Sequence, residues 1–117
     1  MKIYSFERLN AWQESRILVK DIYKISSEFP DHEKFGFVSQ IRRAVISVSS
    51  NLAEGSGRNS VADQKYFYRI AFSSLMEVLN QAILSVDLDY IEDDQLKKLR
   101  IQIDKTAQLI SGLANAK

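Results

Sequence analysis

The chain has no cysteine, one proline, four glycines and a single histidine among its 117 residues. Without cysteine there is no disulfide, no thiolate nucleophile and no cysteine-built zinc or iron–sulfur site. So few helix breakers beside 45% hydrophobic residues exclude a disordered chain and point to long helices. No run of 18 apolar residues occurs, and the N-terminal MKIYSFERLNAW has no continuous apolar core of a signal peptide. A soluble protein of the cytoplasm, with no membrane contact, is therefore expected.

A strong charge of one sign is also missing. The formal net charge is +1, whereas nucleic-acid-binding domains usually carry a marked basic excess on some face. Basic and acidic groups are mixed along the whole chain, and no segment is a basic tail. Any basic patch has to be assembled by folding or oligomerisation, with Arg42, Arg43, Arg58 and the Lys97/Lys98/Arg100 cluster as its sources.

What is present is helical periodicity. The stretch Phe35–Arg58 reads as a central helix with no charged residue from Ala44 to Ala53, so its neighbours must cover most of it. Val38, Ile41, Val45, Val48 and Leu52 form an apolar seam at spacings of three and four; Gln40, Ala44, Ser47, Asn51 and Glu54 form a second seam of small and polar groups. Gly55 is placed to end this helix in a left-handed conformation, before turn residues 56–59.

Before it, residues 7–28 carry Ala11, Trp12, Ser15, Leu18, Ile22 and Ile25 on one side, and Pro30 ends the pattern. Ile17 falls among the polar positions, either as an exposed aliphatic or as a contact to another subunit. Asp31 is placed to open the second helix, over about 32–54. After it, Ser60 and Asp63 resemble a capping box that starts a third helix over 60–87. That helix bears two apolar stripes, one large through Tyr68, Leu75 and Ile83 and one small through Ala71, Val78 and Ala82. Its buried face is wider than the ~100° of an ordinary surface helix, and the excess suits a subunit interface. Leu96, Leu99, Ile103, Thr106, Ile110 and Leu113 repeat at threes and fours over a fourth helix at 93–114. Four such helices with short loops give one domain over 1–117, an all-α, antiparallel up-down-up-down four-helix bundle.

Catalytic chemistry finds little footing. His32 lies in the first connection, where a surface loop residue is the simpler reading than a general base. Glu92, Asp93 and Asp94 sit at the positive end of the last helix, which explains them without a metal. The turn Gly55–Ser60 leads into a helix N-terminus and carries Arg58, a weak anion-binding pattern that lacks the lysine of a Walker loop. No catalytic residue, metal or cofactor is expected. Buried charges persist only when paired, so Arg43 is expected to pair with Glu54 or Glu77 in a structural polar cluster that includes Asn51. Arg42 is left open between that role and an outward phosphate contact. Trp12 is expected in the core rather than as a base-stacking platform.

Several stretches together resemble a known family. Phe6–Gln13 is similar to its opening F-x-x-L-x-x-W, and Glu28-Phe29-Pro30 to its first turn. Gln40–Ala44, Ser47, Asn51–Gly55 and Gly57-Arg58 are similar to its central Q-x-R-R-A…S-x-x-x-N-x-A-E-G-x-G-R signature, and Ile70–Glu77 to its third-helix motif. This is the four-helix-bundle family encoded in intervening sequences of bacterial 23S rRNA genes, sometimes labelled ribosomal proteins. The resemblance implies a ring-like homopentamer and relatedness to the accessory proteins of diversity-generating retroelements, basic pentameric bundles that work with a reverse transcriptase and nucleic acid. Ser49 stands where the family often has proline, and the charge of +1 is less basic than those accessory proteins. The expected function is non-catalytic binding of structured RNA or a nucleoprotein partner by a homo-oligomer, with Arg42, Arg58, Lys97, Lys98 and Arg100 as contacts. A protein-interaction scaffold without nucleic-acid affinity is the alternative, motivated by the wide third-helix face and by Ile17 and Ile101.

Overall fold

The computed structural model describes residues 1–116. Four α-helices and no strand are formed among them: α1 over Asn10–Ser26, α2 over Phe37–Ser56, α3 over Val61–Asp87 and α4 over Asp93–Ala114. Short 3-10 turns at Ser5–Arg8 and Asp31–Glu33 precede α1 and α2. Each helix packs on its two neighbours in the cycle α1-α2-α3-α4, and the diagonal pairs meet only through core side chains, with no Cα atoms within 8 Å. Neighbours run antiparallel. Ser47 meets Ser74 while Gly55 meets Phe67 across α2 and α3, and Gln102 meets Glu14 across α4 and α1. The 27 residues of α3 span ~40 Å, close to the 44 Å long axis of the molecule.

The seams explain the packing. Ile41, Val45, Val48 and Leu52 of α2 are buried against Leu18 and Ile22 of α1, Leu75 and Val78 of α3, and Leu99, Ile103 and Ile110 of α4 in one core. On α3 the small stripe of Ala71, Val78 and Ala82 is the better buried, whereas Ile83 of the large stripe is part-exposed. Small side chains let α2 approach, so the narrow side of α3 became its inner side. Three of the hydroxyls drawn into this core are locally satisfied: Ser15 donates to the carbonyl of Trp12, Ser85 to that of Gln81 and Thr106 to that of Gln102.

Helix starts follow their caps. The Ser60 hydroxyl accepts from the Asp63 amide at 3.1 Å, as the capping pattern predicts. The start of α2 differs from expectation. Asp31 lies in a 3-10 turn, and Gly36, with φ −112° and ψ −102°, precedes the helix instead. The end of α2 also differs: no glycine has positive φ, and the helix runs through Gly55 to Ser56. Gly55 serves closeness rather than handedness. A Cβ there would lie 2.9 Å from the Cβ of Phe67 and 3.0 Å from the Tyr68 ring. Trp12 is half-buried, edge-on to Phe6 with ring centroids 5.0 Å apart.

Among the described residues, no helix is long and apolar enough to cross a membrane.

Candidate nucleic-acid interface

The register of α2 decides which cations reach solvent. With Ile41 and Val45 in the core, Arg42 leans toward α1 and Arg43 points away from the core. Arg42 is half-buried. Its Nε donates to Ser26 Oγ at 2.8 Å and its guanidinium to the Tyr23 carbonyl at 3.1 Å, while the cation lies 4.5 Å from the Tyr23 ring centroid. A cation belongs there, because the last carbonyls of α1 form the negative end of its dipole. Two of its donors are used in this way, and an arginine has five.

Arg43 is exposed and, among the described residues, forms no ion pair, which corrects its expected pairing with Glu54 or Glu77. The physical reason is that the polar seam closes without it. Asn51 donates to the carbonyl and hydroxyl of Ser47, and Ser47 hydrogen-bonds Ser74 across the helix interface at 2.9 Å. Glu54 instead pairs with Arg58 at 3.2 Å, and exposed Glu77 accepts from Gln81. No buried charge remains for Arg43 to neutralise.

The turn before α2 adds the rest of the site. Glu33 anchors it on one side, accepting from the Tyr90 hydroxyl at 2.7 Å and from the Phe37 amide at 3.4 Å. The Tyr90 hydrogen bond holds the Glu33 carboxyl below its ordinary pKa and raises that of the phenol. Phe37 anchors the other side, packed on Phe29 and Tyr90 with centroids 6.0 Å away in each case. Between these anchors Lys34 and Phe35 project outward. Phe35 is 89% exposed, with the Lys34 ammonium 5.5 Å from its ring centroid.

Lys34, Phe35, Arg42 and Arg43 thereby meet Tyr23, Val38, Ser39 and Ile46 around an open groove of about 450 Å³. Cations and aromatic rings line it and no carboxylate does. Asp31 enters only in the adjoining depression, which shares Lys34, Val38 and Arg42. Farther along α1, Arg16 stacks 4.9 Å from the Trp12 ring centroid, a third cation–aromatic pair on the α1/α2 side. Five carboxylates, Asp87, Asp89, Glu92, Asp93 and Asp94, are exposed around the α3–α4 connection, which meets the α1–α2 turn through Tyr90 at the same end of the bundle.

The other sequence candidates do not join this groove. Arg58 lies some 16 residues along the chain from Arg42, at the opposite end of α2 and ~24 Å away along its axis. Its guanidinium also sits 4.4 Å from the Phe67 ring centroid, so pairing and stacking both hold it. The turn around it spends its amides on helix carbonyls, Gly57 to Glu54 and Arg58 to Gly55. Lys97, Lys98 and Arg100 are exposed on α4. At roughly 100° per residue they fan around that helix instead of converging. Lys98 faces an α1/α4 groove that also holds Asp21 and Glu28. His32 is exposed, and among the described residues no group of three His, Asp or Glu is placed to hold a metal.

Lys34 and Phe35 are not among the residues that the sequence singles out, and Arg43, a candidate source of a basic patch, is expected first in a structural pair. A signal existed: between Glu33 and Glu54 the chain holds Lys34, Arg42 and Arg43 and no acidic residue.

A solved structure shares this fold. It is a protein with unknown function from the S23 ribosomal protein family of Bacteroides thetaiotaomicron VPI-5482, 20% identical, with a TM-score of 0.83 over 91% of this chain and 96% of that one. No curated protein matches the chain. Residues 7–112, from before α1 to near the end of α4, match the family described as 23S rRNA-intervening sequence protein. The chain belongs to that family.

Proposed function

We propose that this protein is a non-catalytic, homo-oligomeric binder of structured RNA, and that the α1/α2 groove is its RNA-contacting surface. One observation carries the reading: Lys34, Arg42 and Arg43 line the same groove as Tyr23 and Phe35, with no carboxylate among the lining residues. Each phosphate that a protein cation neutralises releases condensed counterions, and bases stack on aromatic faces. Arg42 is pre-positioned by its bonds to α1, so little side-chain entropy is lost when its remaining donors meet a phosphate. Lys97, Lys98, Arg100 and Arg58 belong to the same proposal as outlying contacts, useful to a long RNA on an oligomer rather than to one subunit. A ring of five, which the family resemblance implies, would multiply a modest patch. A cytoplasmic location, where ribosomal RNA is found, completes the proposal.

The test is binding of the purified protein to a structured rRNA fragment at two salt concentrations. Three neutralised phosphates give a slope of log affinity on log salt of about −2 to −3 per subunit. Lys34→Glu with Arg43→Glu should remove most of the affinity, and reversing Lys97, Lys98 and Arg100 should remove less. Undetectable binding near physiological salt, or binding that survives all these reversals, refutes the reading.

A protein-interaction scaffold without RNA affinity is the second reading, favoured by a different surface. Ile83 and Leu84 on the last turns of α3 and Leu88 just after it are part-exposed, near Gln81, whose Oε1 is buried with no hydrogen-bond partner among the described residues. Ile17 and Ile101 are exposed as well. Loss of self-association in Leu84→Glu, with no change in RNA binding, would assign that surface to assembly. A light-scattering mass of one subunit would sink both oligomeric readings.

A further inference from the structure

Exposed aromatic rings are unusual on a soluble surface, and Phe35 is the most exposed of the aromatic side chains here. Its position is held rather than loose. The residue two before it is hydrogen-bonded to Tyr90 and the residue two after it is packed on Phe29 and Tyr90, so the backbone on both sides is tied to the core. The Tyr23 ring in the same groove is already covered on one face by the Arg42 guanidinium. Phe35 is left largely open, with the Lys34 ammonium 5.5 Å from its ring centroid, and Arg43 lines the same groove.

Resting on the RNA reading above, we infer that the groove recognises an unpaired nucleotide: Phe35 is the platform on which one exposed base stacks, and Lys34, Arg42 and Arg43 take its flanking phosphates. A fully paired duplex keeps its bases stacked inside and offers this ring nothing but backbone, whereas a loop, bulge or single strand presents a free base face. The alternative occupant of a protruding Phe is an apolar pocket on a protein. Charge decides between them: a pocket set against Lys34, Arg42 and Arg43 would have to be rimmed by acids, while a nucleotide brings base and negative charge in one unit.

The experiment uses the full chain and two fluorescent probes, a single-stranded RNA of about twelve nucleotides and the same sequence as a blunt duplex, read by anisotropy. The single strand should bind the wild type more tightly, and Phe35→Ala should weaken it roughly tenfold while leaving the duplex unchanged. Phe35→Trp should retain single-strand affinity, and Phe35→Leu, apolar but without a π face, should lose it as alanine does. Because the side chain is exposed, all three variants should fold, which circular dichroism checks. If the duplex and single strand bind equally and neither responds to Phe35, the RNA reading stands and this inference falls. Leucine behaving as wild type also overturns it, because a greasy anchor then suffices. If neither RNA binds, both readings fail, and a Phe35→Ala protein that no longer self-associates would identify the ring as a protein anchor.

Discussion

Replacing Gly55 and Gly112 by alanine, separately, sets two physical effects against each other within one fold. Both glycines lie inside helices, α2 and α4, where alanine is favoured over glycine by about 1 kcal/mol through the smaller loss of backbone entropy. At Gly112 nothing lies within 4 Å of the new Cβ. The propensity term stands alone there, and Gly112→Ala should stabilise by ~0.5–1 kcal/mol. At Gly55 the new Cβ would lie 2.9 Å from the Phe67 Cβ, an atom rooted in the α3 backbone that no rotamer change can move. The helices must then separate or shift. Overpacking of this kind costs ~1–3 kcal/mol, and a clash with a backbone-rooted atom belongs in the upper part of that range. Subtracting the propensity gain leaves a net loss of ~1–2 kcal/mol. For a chain of this size that is a fall in Tm of about 4–8 °C, against a rise of about 2–4 °C for Gly112→Ala. Urea titrations and calorimetry on the same preparations give both values. A Gly55→Ala protein as stable as wild type would refute the claim that this glycine is required by the α2–α3 approach.

The cap of α3 is worth ~1 kcal/mol, so Ser60→Ala should lower the urea midpoint while Ser60→Asp leaves it nearly unchanged. Arg42→Ala removes two charged hydrogen bonds at the end of α1 and should destabilise by ~1–2 kcal/mol, whereas Arg43→Ala should stay within about 0.5 kcal/mol of wild type. A stability loss in the Arg43 variant would contradict its placement in solvent. The Glu33–Tyr90 bond makes part of the stability pH-dependent. Because the folded carboxyl titrates below its ordinary value of 4.5, its contribution is present above that pH and is lost as pH falls through the folded pKa. Acid should therefore lower the urea midpoint of wild type more than that of Tyr90→Phe, and equal acid sensitivity would show that the bond does not form in solution.

Local rules, where they act alone, were legible in the sequence. Ser60 caps α3 because an N-cap needs only its own helix, and the α4 seam at Leu99, Ile103, Thr106 and Ile110 is buried because spacing along one helix fixes one face. Four helices follow from those rules. The places where residues serve a neighbouring helix were not legible. Gly55 has the local profile of a terminator, yet it continues the helix, because α3 passes too close for a Cβ. Adjacent arginines carry no label for direction. Which one is tethered depends on the end of α1 arriving beside α2 and offering the Tyr23 carbonyl and the Ser26 hydroxyl to Arg42. The expected Arg43 pair rested on a charge being buried, and rotation of α2 placed that charge in water instead. The groove itself joins residues 23, 34–35 and 42–46, and although residues 34–53 hold no acid, the wall that α1 adds through Tyr23 becomes visible only when the faces of two helices lie side by side. Composition and periodicity determined the helices and their inner faces, which are properties of one segment at a time. The tertiary structure alone decided the outward-facing chemistry, because that depends on where one helix leaves off covering another.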